Sequence, residues 1–315
     1  MRIEICGFYG FGNAGDEAIL QSIMDELGNE HEYIISTSLP YNRDSWQNYG
    51  NIIGRELRLH EDMRTDFDAY ILGGGGLNWG YGWRQCLSVF SHNIPSMNFA
   101  VEYNKRYYYS EKLHGLYSEF LKNFDAITVR DTGSYNLLME INSNMNLELA
   151  FDPAINLREE PFECPKNKIV VCPRYEDIVP NQPQLDWLMS ELKTVSNDVL
   201  LVACGHTGLE GQDIDMQLCK YLHERLEGSE ILNISAFEPR KLKYLISKSK
   251  ALYSGGRYHS LVFAIAHDIP FKIAPTALAY AKIPFLLEMY QTFGKKGLIK
   301  LTNRNKELFQ NLTRR

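Results

Sequence analysis

The chain has 315 residues, 44% of them hydrophobic, and carries 33 Lys+Arg against 39 Asp+Glu for a net charge of −6. That length allows two ordinary domains with separate cores, and a mildly acidic balance without a Lys/Arg stripe excludes a nucleic-acid footprint. The six cysteines form no C-x-x-C pair and read as reduced buried thiols, and no apolar run approaches the ~18 residues of a membrane span.

"MRIEICGF" enters a strand directly, without the apolar region of a signal peptide, so a soluble, cytoplasmic protein is expected. "RIEICGF" (2 to 8) predicts a first strand, "DEAILQSIMDELG" (16 to 28) an amphipathic helix, and "EYIISTS" (32 to 38) the next strand. "DAYILGGGG" (68 to 76) reads as a buried strand running into glycines, "SEKLHGLYSEFLKNF" (110 to 124) as a helix and "AITVR" (126 to 130) as a strand. The charged, proline-bearing stretch 158 to 166 is the linker candidate, after which the alternation restarts. Strands are expected at 168–174, 199–206, 230–235 and 251–256, and helices around 183–196, 212–227, 238–249 and 258–267. This alternation predicts α/β architecture with parallel, helix-covered sheets: an N-terminal domain over 1–160, a C-terminal domain over 165–285, and a helix and tail over 286–315 packing back across the junction.

Parallel sheets gather ligands beyond the carboxyl ends of their strands, where glycine-rich turns expose backbone N–H groups at a helix start. Four such turns stand out. In "CGFYGFGNAGDEAIL" (6 to 20), Gly10, Gly12 and Gly15 precede the first helix, with Asn13 and Asp16 beside them. The spacing is G-x-G-x-x-G, yet "STSLP" stands where a ribose-binding acid belongs, so this is no dinucleotide fingerprint. Asp16 is either that helix's cap or a group of the site. The run Gly73 to Gly76, including Gly74 and Gly75, exceeds what a turn needs and predicts backbone packed against a ligand or the facing domain. "VRDTGS" (129 to 134) ends a strand on Arg130, directed into a cleft or paired with Asp131 or Asp152, and Asp131 or Thr132 can cap the next helix. "SGGRYHSLVFAIAH" (254 to 267) places Arg257 and His259 at a helix start, facing a bound anion. Arg174, Lys272 and Lys282 add positive charge, and a cationic pocket on an acidic protein suits a small, highly charged anion. Trp79, Tyr81 and Trp83 follow the glycine run as an acceptor platform, and His206 ends a strand as a further cleft candidate. No His/Cys/Asp cluster has metal-ligand spacing, so no metal is expected.

Taken in order, "GFYGFGNAGDEAIL", "ILGGGGL", "ITVRDTGSYNLL", "FDPAINL" and "GGRYHSLVFAIAHDIPF" resemble the polysaccharide pyruvyl transferase family over residues 1 to about 290. The resemblance implies two facing Rossmann-like domains similar to the glycosyltransferase B-type fold. It implies transfer of the pyruvyl group of phosphoenolpyruvate onto a sugar of a cell-surface polysaccharide or its precursor, as a cyclic ketal, with release of phosphate. By the same resemblance Arg130, Arg257, His259 and Lys282 hold the donor, with Lys272 a rival for the lysine role; Tyr258 stands where the family carries a smaller residue.

The residues agree with that chemistry. Phosphoenolpyruvate presents a carboxylate and a phosphate to guanidinium forks, here Arg130, Arg257 and Arg174, while an ammonium adds point charge. His259 suits the acid role by type, and Asp16 or Glu17 the base. The acceptor-side contacts are expected from Gly12, Asn13, Gly74, Gly75, Trp79 and His206. No cofactor is expected beyond the donor substrate. The partners expected are phosphoenolpyruvate and a saccharide or lipid-linked saccharide, with room for homo-oligomerisation. Two alternatives stay open: a glycosyltransferase using a nucleotide-sugar donor, and a non-catalytic saccharide-binding protein of the same fold.

Overall fold

Ile3 and Ile5 on one side of the first strand, Glu4 and Cys6 on the other, set the layering of the N-terminal half, because successive strand side chains point to opposite faces. The computed structural model describes residues 1–37, 56–59, 63–76, 83–103, 119–175, 182–193, 195, 198–205, 214–279 and 282–314. Within these, strands β1 (Arg2–Cys6), β2 (Glu32–Thr37), β3 (Glu56–Leu59), β4 (Ala69–Gly75), β5 (Ser96–Val101), β6 (Ala126–Val129) and β7 (Leu147–Leu149) form one parallel sheet, ordered β3-β2-β1-β4-β5-β6-β7. Strands β8 (Ile169–Cys172), β9 (Val199–Leu201), β10 (Glu230–Ile231), β11 (Ala251–Ser254) and β12 (Phe271–Ile273) form a second, ordered β10-β9-β8-β11-β12, also parallel.

Helices α1 (Ala14–Leu27), α2 (Trp83–Ser91) and α3 (Thr132–Ile141) belong to the first half, and α4 (Gln182–Leu192), α5 (Ile214–His223), α6 (Pro239–Ser247) and α7 (Tyr258–Ala266) to the second. A last helix, α8 (Lys282–Thr313), is interrupted at Gly294, whose φ of 60° is left-handed. One core runs between the two sheets. It joins Ile3, Ile5 and Ile19 to Val170, Phe263 and Leu286, so α1, α6, α7 and α8 share it. A second core lies on the other face of the first sheet, around Tyr70, Cys86 and Phe120, and a third under α4 and α5 around Leu188 and Leu222. All six cysteines are free thiols, five of them buried.

The stretch 158 to 166 is tied down along the second half rather than left as a plain connector. Glu160 N donates to Arg240 O at 3.3 Å, and His267 pairs with Glu159 at 2.8 Å. Just before it, a short 3-10 helix, Pro153–Asn156, is capped by Asp152. Its carbonyl end is gripped from α6, where buried Lys243 Nζ donates to Ile155 O at 2.6 Å and Leu157 O at 2.8 Å. Arg240, also on α6, reaches α1 through Gln21 Oε1 (2.9 Å) and Asp25 Oδ1 (2.6 Å). Burial pushes the Lys243 ammonium down to about 8, since a charged group surrounded by protein loses its hydration.

Candidate active site

Strand order reverses once in each sheet, between β1 and β4 in the first and between β8 and β11 in the second. Crevices at such reversals are where parallel sheets take ligands. The glycine turn after β1 and the glycine run of β4 flank the first reversal; Arg174 and the Gly255–Gly256–Arg257 turn flank the second. The two crevices meet directly. Asn13 bridges Gly205, and Ala14 N donates to Cys204 O at 3.0 Å.

On the first side, Gly10 (φ 82°) and Gly12 (φ 74°) occupy the left-handed region that the tight turn requires. Helix α1 starts two residues earlier than its apolar pattern suggests, because Asn13 is the cap, its Oδ1 accepting from Gly15 N at 3.0 Å. Asp16 is therefore not the cap. Its carboxylate makes no hydrogen bond or ion pair among the described residues and lies over Gly75, where a Cβ would stand 2.9 Å from Asp16 Oδ1. Burial pushes the Asp16 carboxyl up from its ordinary value, against the pull of His259, Lys282 and Arg130. Glu17 does not face the cleft: it is fully buried and accepts from Gly10 N at 2.7 Å, bracing the turn.

Where a Cβ would stand, the glycine run meets side chains of its own half and none of the other. Gly73 to Gly75 are strand residues of β4 under α1, and a Cβ on Gly74 would overlap the Ile19 side chain. Their smallness lets α1 settle onto the sheet, which is what brings Asp16 to the crevice.

On the second side, Arg257 occupies the cap position of α7 and pairs with buried Asp215 at the start of α5. Its guanidinium lies so close over Gly205 that a Cβ there would overlap it. Arg174 Nη1 reaches Gly256 O at 3.5 Å, while Gln184 holds the Arg174 backbone from both sides, each at 3.0 Å. Lys282 opens α8 and makes no hydrogen bond or ion pair among the described residues. Burial, reinforced by Arg174 and Arg130, lowers it to about 8 despite Glu102 and Asp16 nearby. Lys272 sits elsewhere, exposed on β12 and paired with Glu191 at 2.5 Å.

Arg130 and Asp152 join the two sides. Arg130 is buried; Nη1 donates to Asp152 Oδ2 at 2.8 Å, Nη2 pairs with Glu102, and its guanidinium carbon lies 4.3 Å from the centre of the Tyr258 ring. Of the two readings of Arg130, ion pairing is thus realised, with Asp152 and with Glu102, which the sequence did not single out. Asp131 instead caps α3, its Oδ1 accepting from Ser134 N at 2.7 Å. His259 Nε2 lies 3.2 Å from the same Asp152 oxygen, and its Nδ1 abuts Gly15, where a Cβ would overlap it. A register shift in β5, with Ala100 at φ 52°, brings Glu102 to Arg130. Burial raises the Glu102 carboxyl, but Arg130 and Lys282 outweigh it and leave it below its ordinary value.

The structure thus brings together Asp16, Arg130, Arg174, Arg257, His259 and Lys282, with Gly12 and Asn13 in the turn beside them and Gly74 and Gly75 at the end of β4, and leaves Lys272 apart. Trp79, Tyr81 and His206 lie outside the described residues, as does the Trp83 side chain. Missed by sequence reasoning were Glu102, Asp215 and the double role of Asp152. Two of the three had a signal: Glu102 ends the apolar run "SMNFAV", and Asp152 precedes a proline just after a strand, both positions where a charge needs a reason.

The profile described as polysaccharide pyruvyl transferase matches residues 13–271. No curated protein is similar enough in sequence to be matched. Among solved structures, UDP-GlcNAc 2-epimerase from Methanocaldococcus jannaschii is similar at a TM-score of 0.59 and 10% identity, over 100% of both chains. S. aureus MnaA in its structure with UDP has a TM-score of 0.59 at 13% identity, covering 99% of this chain and 89% of that one. Anabaena HepE in complex with UDP-glucose has 0.55 at 12%, covering 100% and 98%. At these identities the likeness is one of fold: two parallel α/β halves arranged as in glycosyltransferase B-type proteins.

Proposed function

Because this chain belongs to the polysaccharide pyruvyl transferase family, we propose that it moves the pyruvyl group of phosphoenolpyruvate onto two hydroxyls of a saccharide or lipid-linked saccharide, forming a cyclic ketal and releasing phosphate. The observation that carries this reading is the meeting of Arg130, Arg257, Arg174 and Lys282 in one crevice between the halves with His259 and with Asp16, which is unbonded among the described residues. A small trianion needs several cations, and a ketal needs an acid and a base.

The donor's carboxylate or phosphate suits the guanidinium of Arg257, which Asp215 holds in place before the donor arrives, while Arg130, paired with Asp152 and Glu102, contributes positive charge beside it. Lys282 adds a compact positive charge at the same spot. In the reaction C3 of the enol gains a proton, C2 accepts the first sugar oxygen, and the second sugar oxygen then displaces phosphate from C2. Two hydroxyl protons leave the sugar; one balances the new methyl group and the other departs on phosphate. His259 is the group that passes a proton to C3 or to the leaving phosphate, and Asp16, raised by burial, receives one from the sugar. A phosphoenolpyruvate donor makes the cytoplasm the site of action, and no described helix is long and apolar enough to cross a membrane.

Incubating the purified protein with phosphoenolpyruvate and a panel of nucleotide-linked and aryl glycosides tests the proposal. The expected result is phosphate release matched by a pyruvyl mass increment on one acceptor. Glycosyl transfer from a UDP-sugar with no pyruvyl product would replace this reading by the nucleotide-sugar glycosyltransferase.

A further inference from the structure

His259 sits in the first turn of α7, its ring meeting the Tyr258 ring edge-on at 5.1 Å between centroids. Its two nitrogens have different surroundings. Nε2 faces Asp152 Oδ2 at 3.2 Å. That oxygen also accepts from Arg130 Nη1 at 2.8 Å, while Asp152 Oδ1 accepts from Ala154 N at 3.0 Å. Asp152 is wholly buried, and both its oxygens are fixed as acceptors by donors that cannot reverse the bond. Although burial alone would raise it, His259 and Arg130 bring the Asp152 carboxyl down to about 2, so it stays ionised. The hydrogen shared with His259 therefore resides on Nε2.

Nδ1 faces the opposite way, toward the first turn of α1 and Gly15. Glycine at that position makes room for the nitrogen, since the Cβ of any other residue would overlap it. The neighbouring residue of the same turn is Asp16. The charged groups around the ring are thus Asp16 from α1, Arg130 beyond β6 and Asp152 before the 3-10 helix, with Lys282 of α8 close to Asp16.

We infer that Asp152 is a positioning residue that holds His259 as the Nε2–H tautomer, making Nδ1, beside Gly15 and Asp16, the nitrogen that exchanges protons with the substrate. This rests on reading His259 as the proton-transfer group, but its first consequence is a property of the resting protein. One carboxylate oxygen then serves two functions, orienting the imidazole of the second half and the guanidinium of the first. The proton-handling nitrogen and the Asp16 carboxylate flank one spot at the amino end of α1, where the reacting carbon and the sugar hydroxyl must come together.

The test is long-range 1H–15N NMR on protein labelled at histidine nitrogens, with His259→Gln to assign the signal. At a pH where the ring is neutral, the wild-type protein is expected to carry its proton on Nε2 and leave Nδ1 bare. Asp152→Ala should release the ring to a mixture of tautomers and lower kcat by about 10²-fold or more. A neutral wild-type ring protonated on Nδ1 overturns the inference without recourse to any variant, and so does an unchanged tautomer in folded Asp152→Ala protein. The tautomer is read without substrate, so a failure of pyruvyl transfer and a failure of this assignment are separate outcomes.

Discussion

Lys282 and Lys272 are ten residues apart and differ in nearly everything that matters for binding an anion. Lys282 lies among Arg130, Arg174, Glu102 and Asp16 with its ammonium lowered to about 8, whereas Lys272 is exposed and satisfied by Glu191. Lys282→Ala is expected to raise the KM for phosphoenolpyruvate about 10-fold or more, and Lys272→Ala to leave it unchanged, in steady-state assays. The pH dependence follows in sign. An amine lowered to about 8 surrenders its proton there instead of near its ordinary 10.5, so donor affinity should weaken as pH rises through 8. A Lys282→Arg variant should lose that dependence, measured by calorimetric titration of the donor from pH 7 to 9.5. At this scale the sequence was informative wherever a charge stood at the carboxyl end of a strand, as with Arg130, Arg174 and Arg257. It was silent on Asp215, which lies at the start of a helix where an acid has an ordinary explanation.

The strands and helices were readable where apolar periodicity was unbroken. The first strand, α1 and most of the second half follow their predicted spans within a few residues, because their buried faces repeat at strand or helix spacing. β3 (ELRL) and β12 (FKI) were not, being short and polar enough to pass for loops. The glycine run was legible as close approach but not by what, and among the described residues the group that approaches Gly74 is Ile19 of α1. That same helix carries a penalty at its other end. Glu26 Oε1 accepts from Asn156 Nδ2 at 3.1 Å, Oε2 is buried without a partner, and burial pushes the carboxyl up to about 8. Between its ordinary 4.5 and 8 the folded protein holds a proton that the unfolded chain has released, so this group makes stability fall as pH rises across that window. Glu26→Gln should therefore stabilise the protein by about 3 kcal/mol at pH 8 and have little effect at pH 4.5, measured by urea unfolding at both.

Besides the core they share, the two halves are held together by specific polar contacts, among them those of buried Lys243. Its ammonium serves the carbonyls of Ile155 and Leu157 at the end of the crossover between the sheets. Lys243→Met removes the donor while filling the space, leaving those acceptors unsatisfied. The expected loss is about 2 to 4 kcal/mol in denaturant unfolding at pH 7, and it should grow between pH 8 and 10.5, where the unfolded chain still holds a proton that the folded protein has released and the wild type gains stability as pH rises. Helix α8 ties the molecule at longer range. It begins at Lys282 in the crevice and runs back to the first sheet, where Asn305 Oδ1 accepts from Thr128 Oγ1 at 2.6 Å across 177 residues of chain. Thr128 Oγ1 in turn accepts from Ala100 N at 2.8 Å, inside the shifted stretch of β5 that leads to Glu102. During synthesis at roughly 5–20 residues per second, β6 therefore emerges roughly 10 to 35 s before the residue that completes its polar contacts. Over that interval Thr128 Oγ1 can already accept from Ala100 N and donate to Asn98 O at 3.2 Å, and it lacks the Asn305 acceptor. The crevice is thus completed from α8, which carries both Lys282 and Asn305 and is made after every strand that α8 packs against.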